Sequence, residues 1–167
     1  MAVEGEVLVR AAFGQTKALD LSTTTDDLAF ETRIRLIDGT GLNMANKVWH
    51  DTRTIAASGN DDIDLSGVLL DPFGVAVVFT RVKGLILASL AANANNINVG
   101  GLGANGFLTW VGATGDLVVL RPGGVFCLVA PDATAYAVTP ATADLLRVTN
   151  AAGGTSVTYS IAISGTI

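Results

Sequence analysis

Charged residues are scarce in this chain of 167 residues. Lysine, arginine, aspartate and glutamate make up 15% of it, whereas an average soluble domain has about 25%. Half of the residues are hydrophobic, so the chain has enough apolar side chains to form a core and is not expected to be disordered. Because few charges are left to cover the outside, we expect part of the apolar surface to lie against another chain.

Basic residues and cysteine are also few. The chain has 10 lysines and arginines and a formal net charge of −5, which leaves no basic face for a nucleic-acid partner. Cys127 is the one cysteine, so no intrachain disulfide is possible. It lies in the apolar run Val125–Val129, which predicts a small, buried side chain.

Long apolar runs are missing as well. The longest nearly apolar run, residues 84–92, has about half of the ~20 residues that a helix needs to cross a bilayer. Glu4 and Glu6 stand where a secretory signal would carry basic residues ahead of an apolar stretch. We therefore expect no membrane partner, and we expect the protein to be made in a reducing cytoplasm.

Groups for acid–base chemistry are concentrated in the first half of the chain. From residue 91 onward the charged residues are Asp116, Arg121, Asp132, Asp144 and Arg147. A catalytic triad would have to use His50, the single histidine, with Asp51 or Asp64. In a strand, His50 and Asp51 would point to opposite faces, and the nucleophile motif G-x-S-x-G is missing. The sequence therefore predicts no enzyme and no catalytic residue, and we expect His50 at a surface or an interface.

A glycine motif resembles a nucleotide-binding loop. Gly101, Gly103 and Gly106 form a literal G-x-G-x-x-G. The β-like residues 107–111 follow it, where a dinucleotide site needs the start of a helix. We interpret the motif as the loop of a β-hairpin, with a strand at residues 107–111.

A second motif begins like a calcium loop, with Asp62, Asp64, Ser66 and Gly67 in order. The twelfth position is Phe73, where a calcium loop needs a bidentate glutamate. A polar turn at Asp61 and Asp62 is predicted instead. One histidine and one cysteine cannot complete a transition-metal shell. We therefore predict no metal, no cofactor and no cofactor-binding residue.

The hydrophobic pattern is typical of short strands. In residues 28–36, the apolar Leu28, Phe30, Ile34 and Leu36 share one face and Glu31 lies on the other, which predicts a strand with one wet side. Further strands are expected at residues 48–55, 63–69, 76–79, 84–90, 97–99, 107–111, 117–120, 125–130, 135–138, 145–148 and 157–163. Glycine- and proline-rich turns separate them at the ~8–12-residue spacing of an all-β sandwich or barrel.

Two segments carry the clearest local signals. The Arg-Pro-Gly-Gly at residues 121–124 has the chemistry of a type II turn, which should join strands 117–120 and 125–130 as a hairpin. Residues 157–163 alternate cleanly, with the side chains of Val157, Tyr159, Ile161 and Ile163 expected to face inward. The opposite face of that strand is small and uncharged.

The chain is predicted to hold one domain and an N-terminal extension. Residues 1–27 are interpreted as an arm or edge segment, with a strand at residues 6–13 and a polar linker at residues 22–27. Residues 28–167 are predicted to form a single β-sandwich domain. An arm of this kind can add a strand to the sheet edge of a neighbouring subunit.

Several stretches resemble small virion proteins of tailed bacteriophages, of the head decoration or cement type. They are Asp-Thr-Arg-Thr-Ile-Ala at 51–56, Asp-Leu-Ser-Gly-Val-Leu at 64–69, Phe-Gly at 73–74 followed by Arg-Val-Lys at 81–83, Arg-Pro-Gly-Gly at 121–124 and Ala-Pro-Asp-Ala at 130–133. The resemblance extends over residues 47–167 and lies in the order and spacing of turns and strand ends.

This resemblance implies a jelly-roll-like β-sandwich on the exterior of an icosahedral capsid. The implied function is to stabilise the shell, and the implied partners are the major capsid protein and other copies of the chain, as a homodimer or homotrimer. It implies no catalytic residues. The alternative is a tail-associated or fibre-type module that binds a receptor or a glycan, for which the sequence shows neither shaft repeats nor an aromatic cluster.

Overall fold

All regular secondary structure in the described part of the chain is β-strand. The computed structural model describes residues 2–167. Its strands are β1 (Gly5–Ala18), β2 (Thr23–Leu36), β3 (Lys47–Ile55), β4 (Asn60–Asp64), β5 (Leu69–Leu70), β6 (Ala76–Val77), β7 (Arg81–Ser89), β8 (Ile97–Gly100), β9 (Asn105–Gly106), β10 (Leu117–Leu120), β11 (Val125–Val129), β12 (Tyr136–Ala137), β13 (Ala143–Asn150) and β14 (Val157–Thr166). A helix able to cross a bilayer is not found among these residues.

Two sheets form the sandwich. Sheet I has the strand order β11-β7-β14-β3, with β12 also paired to β7. Sheet II has the order β10-β8-β13-β4, with the short β9 running parallel beside β13. The other strand pairs of both sheets are antiparallel. The predicted all-β sandwich is confirmed.

Side-chain alternation places the core between the two sheets. In sheet I, Leu85 lies directly between Leu128 and Ile163, and Trp49 continues the row on the inner face. The four predicted inward residues of β14 are all buried: Val157, Tyr159, Ile161 and Ile163. Sheet II contributes its own buried side chains, which are Ile63, Ile97, Val99, Leu146 and Val148. The period-two pattern therefore located the core correctly where apolar and polar residues alternate.

The turn at residues 121–124 carries the chain from one sheet to the other. The Gly124 N–H donates to the Arg121 carbonyl at 2.8 Å, and Gly123 has a φ of 76°, as a type II turn requires at its third position. The predicted turn is confirmed, but the predicted hairpin is wrong. β10 pairs with β8 and β11 pairs with β7, so the strands that flank the turn belong to different sheets.

The N-terminal segment forms a long two-stranded hairpin. β1 and β2 pair over their full 14 residues each, from Gly5 opposite Leu36 to Ala18 opposite Thr23. The predicted strand at residues 6–13 lies within β1. The predicted linker at residues 22–27 is wrong, because residues 23–27 begin β2, where β-branched threonines favour an extended chain. The expected end of the arm, residue 27, thus lies inside β2.

The strand expected at residues 107–111 is also wrong. This segment is a turn in which the Trp110 indole Nε1–H donates to the Phe107 carbonyl at 2.9 Å. Phe107 itself is buried in the core, and Trp110 packs against Phe126 with ring centroids 5.4 Å apart. Aromatic residues therefore anchor this loop without forming a ladder of backbone hydrogen bonds.

Candidate interaction surfaces

The outer face of sheet I carries no Asp, Glu, Lys or Arg side chain over residues 48–54 of β3, 84–88 of β7, 125–129 of β11 and 158–164 of β14. We call it the neutral face. Its central row runs across the four strands through His50, Ala162, Ile86 and Cys127. The other residues on this face are Val48, Thr52 and Thr54 of β3, Thr158, Ser160 and Ser164 of β14, Gly84 and Ala88 of β7, and Val125 and Val129 of β11. A broad sheet face without charges is typical of a surface that packs against protein.

The outer face of sheet II differs from the neutral face. Arg147 on β13 donates from Nε and Nη2 to the two carboxylate oxygens of Asp62 on β4, at 2.7 and 2.6 Å. This charged pair lies at the outer face, where each side chain stays about one-third exposed to water. The two faces of the sandwich are therefore chemically distinct, and the uncharged one is the stronger candidate for a contact.

The β1–β2 hairpin has one apolar face and one polar face. On the polar face, Glu6 lies 3.5 Å from Arg33 and 3.7 Å from Arg35, so charges of opposite sign face each other across the strands. We call the opposite side the apolar hairpin face. It consists of seven apolar residues and Thr32, and beyond them the same side becomes polar with Gln15, Lys17 and Asp26. The seven apolar residues are Val7, Val9, Ala11, Phe13, Leu28, Phe30 and Ile34.

Beyond its base, where Val7 lies against sheet I, the apolar hairpin face is not covered by the rest of the described chain. Phe13 and Leu28, directly paired, are 69% and 55% exposed, and Phe30 is 53% exposed. The alternation predicted in residues 28–36 is real. The expectation of one dry side fails within this chain, because β2 pairs with β1 and not with a sandwich strand.

The base of the hairpin lies over part of the neutral face. A groove of about 240 Å³ separates the two, and its lining includes Glu4 and Glu6 from the N-terminal segment and Gly84, Ile86 and Ala162 from the neutral face. Lys83, fully buried on β7, donates its amine to the carbonyl oxygens of Gly41 and Asp132. The hydrogen bond to Gly41 holds the connection between β2 and β3 against β7. Burial lowers the pKa of the Lys83 amine.

A larger groove lies along the outer edge of β3, and we call it the β3 groove. Its volume is about 520 Å³, and its apolar lining is Val3, Val48, Phe73, Val75 and Ile167. Lys47 and Asp71 also line it, but their charges are paired at 2.6 Å. The Lys47 hydrogen bond, together with backbone N–H donors, lowers the pKa of the Asp71 carboxyl. The groove thus offers exposed apolar surface with its lysine and aspartate charges already paired.

His50 lines this groove on the exposed face of β3. The Asp51 carboxylate accepts hydrogen bonds from the Thr52 N–H at 2.8 Å and from Arg53 Nη1 at 3.0 Å. His50 and Asp51 therefore lie on opposite sides of the strand, as the alternation predicts. The exposed position predicted for His50 is confirmed, and its place at an interface remains a prediction.

A polar cluster closes the edge of the sandwich between the two sheets. Arg53 on β3 donates to both carboxylate oxygens of Asp61 on β4, at 2.5 and 2.8 Å. Tyr159, buried on β14, donates its hydroxyl to the same carboxylate at 2.7 Å. Burial alone would raise the pKa of Asp61, but the hydrogen bonds from Arg53 and Tyr159 outweigh it and lower the pKa. Burial raises the pKa of Tyr159, and its hydrogen bond to the Asp61 carboxylate raises it further.

The calcium-like motif serves internal hydrogen bonds. The Asp64 carboxylate accepts from the Ser66 N–H at 3.0 Å, and the Ser66 hydroxyl donates to Asp144 at 2.5 Å. The predicted turn at Asp61 and Asp62 is wrong, because both belong to β4, and β4 ends at Asp64. In residues 2–167, no group of three or more His, Cys, Asp or Glu side chains is placed to hold a metal ion.

The glycine motif follows β8 along the chain, includes β9 and is not followed by a helix. Gly101 has a φ of 78°, in the left-handed region that favours glycine, and Gly106 belongs to the short strand β9. The loop interpretation agrees with this backbone. β9 pairs with β13, so the loop returns to sheet II without forming a simple hairpin.

Cys127 does not occupy the core. It is exposed on the neutral face, opposite Ile86, while its neighbours Phe126 and Leu128 pack against the core. The predicted burial is therefore wrong. A run of five apolar residues shows no alternation from which the inward positions could be read.

The exposed Cys127 predicts that a thiol reagent labels the folded protein. Partial burial raises the pKa of the thiol, so we expect Ellman's reagent to react fully but more slowly than with the urea-unfolded chain. Absorbance at equal pH measures both rates, and Cys127→Ser is the blank. A folded protein that stays unlabelled until it unfolds would contradict the exposed position.

Comparison with known proteins adds no relative to these observations. No protein-family model, curated protein or solved structure matches the chain.

Proposed function

We propose that this protein is a structural component of a tailed-phage virion. It binds the outer surface of the head, where it contacts the major capsid protein and further copies of itself and stabilises the shell. The resemblance at residues 47–167 supports the class of protein. The neutral face carries the proposal, because it is a broad surface suited to packing against protein.

The neutral face is suited to contacts with neighbouring subunits of a capsid lattice. Interface centres are depleted of charge, since a buried charge without a partner loses its hydration. The neutral face meets that condition across four strands, with residues such as Ser160, Ala162 and Ala88 that allow close approach. Many weak contacts of this type, repeated over one shell, add up through avidity.

The strand order supports the jelly-roll class for the sandwich. Eight strands, each of four or more residues, form two sheets of four strands, β11-β7-β14-β3 and β10-β8-β13-β4. Along the chain, β3, β7, β11 and β14 lie in sheet I, and β4, β8, β10 and β13 lie in sheet II. A double-sheet jelly roll has the same number of strands, wound so that the chain crosses repeatedly between its sheets.

Imaging of purified phage particles by cryo-electron microscopy tests the proposed location. We expect density for the sandwich on the outside of the head, at regular positions on the lattice. Density on the tail would overturn the head location and favour the receptor- or glycan-binding module. A particle without this chain would overturn both.

A charge in the centre of the neutral face should weaken binding to the head. Ser160 is exposed on β14, so Ser160→Arg should leave the fold intact while it places a cation inside the contact. We expect at least a ~10-fold weaker affinity for heads that lack the protein, measured by co-sedimentation.

The matched control is Thr149→Arg on the outer face of sheet II. Thr149 pairs with Asn60 and Asn98 and points away from the core. This variant should bind heads as the unmodified protein does. If Ser160→Arg also binds normally, the neutral face is not the surface that meets the shell.

A further inference from the structure

The β1–β2 hairpin is longer than its contacts within the chain can support. Fourteen paired residues extend over ~46 Å at the rise of a β-strand. Neither strand pairs with another strand in the described residues. A two-stranded hairpin is marginally stable on its own in water, and it needs a third strand or a covering surface.

The sequence of the hairpin is that of a half-buried ribbon. Its polar face matches Glu6 to Arg33 and pairs Arg10 opposite Glu31, whereas its apolar face presents the Phe13–Leu28 pair and Phe30 to water. Such alternation is typical of strands with one side against protein. The apolar hairpin face lacks a formal charge from Val7 to Phe13, so it fits an uncharged apolar cover.

The same chain carries a second uncovered apolar surface, the β3 groove. Phe73 is 69% exposed, Val75 is 53% exposed and Ile167 is 49% exposed. The neighbouring Lys47–Asp71 charges are already paired. Of the N-terminal segment, Val3 lines the groove, so the hairpin of the same chain starts beside it and leaves Phe13, Leu28 and Phe30 uncovered.

We propose that the hairpin of one copy packs its apolar face into the β3 groove of a second copy. In a dimer, the hairpin of the second copy packs into the groove of the first. In a trimer, it packs into the groove of a third copy, whose hairpin packs into the groove of the first. This inference deepens the self-association part of the proposed function and rests on that part alone. It requires neither the shell nor the major capsid protein.

The area involved favours this exchange over contact between two hairpins. The apolar hairpin face covers seven paired positions, so it is ~23 Å long, ~10 Å wide and about 230 Å² in area. Two such faces packed together bury about 460 Å², far less than the ~1,200 Å² of a standard specific interface. Reciprocal exchange in a dimer covers both hairpin faces and both grooves, about 920 Å² in total, which is twice that area and within the range of weak associations.

The oligomeric state of single-charge variants tests the exchange. Light scattering after size-exclusion chromatography at micromolar concentration should give a dimer or trimer for the unmodified chain. Phe13→Glu and, separately, Phe73→Glu should each give a folded monomer, because both side chains are exposed in one chain and do not support its core. Circular dichroism verifies that each variant is folded.

Two neighbouring positions serve as matched controls. Ala12→Glu adds the same charge on the polar face of the hairpin, and Val68→Glu adds it at a side chain that is 81% exposed and lies outside the β3 groove. Both should keep the oligomeric state of the unmodified chain. If the controls dissociate as well, net charge and not the two surfaces determines assembly.

Mixing the two monomeric variants distinguishes exchange from a contact between hairpins. The Phe73→Glu chain has an intact hairpin and the Phe13→Glu chain has an intact groove, so the mixture can form one of the two contacts. It should regain an association that neither variant shows alone and that is weaker than that of the unmodified chain. If Phe73→Glu stays oligomeric while Phe13→Glu dissociates, the groove is not the cover. An unmodified chain that is monomeric overturns the exchange.

Binding to phage heads is a separate measurement, although Val48 and His50 belong to both the β3 groove and the edge of the neutral face. A monomer that still decorates the head would overturn the exchange and leave the proposed function standing. An exchanged oligomer that binds no part of the virion would do the reverse.

Discussion

Leu85→Ala should lower the free energy of unfolding by about 3 to 4 kcal/mol. Leu85 is completely buried and lies between Leu128 and Ile163 on the inner face of sheet I. Its truncation removes buried methyl groups and leaves a cavity. The cavity cannot collapse fully, because backbone hydrogen bonds hold β7 between β11 and β14. Leu→Ala changes at such sites typically destabilise a protein by about 2–5 kcal/mol.

The matched control for this change is Leu21→Ala. The Leu21 side chain is fully exposed at the end of the hairpin, so its truncation buries or exposes nothing in the sandwich. We expect an effect below about 0.5 kcal/mol. Urea unfolding followed by tryptophan fluorescence measures both variants, and equal effects would contradict the location of the core.

Arg53→Ala should lower the free energy of unfolding by about 2 kcal/mol. Loss of the guanidinium leaves the Asp61 carboxylate, 16% exposed as a side chain, with the Tyr159 hydroxyl and no cation. Breaking a fully buried pair in this way costs about 3–5 kcal/mol. We expect less here because water still reaches one-third of Arg53.

The effect of Arg53→Ala should depend on pH. The folded-state pKa of Asp61 lies below its ordinary value of 3.8, so the stabilisation is complete above that value and is lost as the pH falls through the folded-state pKa. The difference between the unmodified chain and the variant should therefore shrink between pH 7 and pH 3. Urea unfolding at both pH values measures it.

An exposed ion pair serves as the control for the Arg53 cluster. Arg35 is 74% exposed and lies 3.7 Å from Glu6 on the polar face of the hairpin. Arg35→Ala should change the stability by less than about 0.5 kcal/mol at either pH. If Arg53→Ala behaves like Arg35→Ala, the cluster between β3 and β4 does not stabilise the sandwich edge.

Strand positions could be predicted where polar and apolar residues alternate. In β14, Tyr159 and Ile161 are buried and Ser160 is exposed, as the period of two requires. The uncharged outer side of this strand already indicated part of the neutral face. Continuous apolar runs did not permit the same inference, and Cys127 was placed on the wrong side for that reason.

Pairing partners could not be predicted from local pattern. The turn at residues 121–124 was predicted correctly, yet its two strands belong to different sheets. Residues 28–36 showed the alternation of a half-buried strand, but the pattern does not identify the strand beside them. The hairpin and the β3 groove therefore became visible only in the folded chain.

The amino-acid sequence was enough to predict β-strands around an apolar core and a surface with little charge. These properties follow from composition and from the alternation of neighbouring side chains, which act over a few residues. Only the folded chain shows which strands are neighbours, that uncharged residues of four strands share one face, and that Phe13 and Phe30 are exposed. Strand neighbours depend on contacts between residues far apart in the chain, such as β3 with β14, which no local pattern encodes.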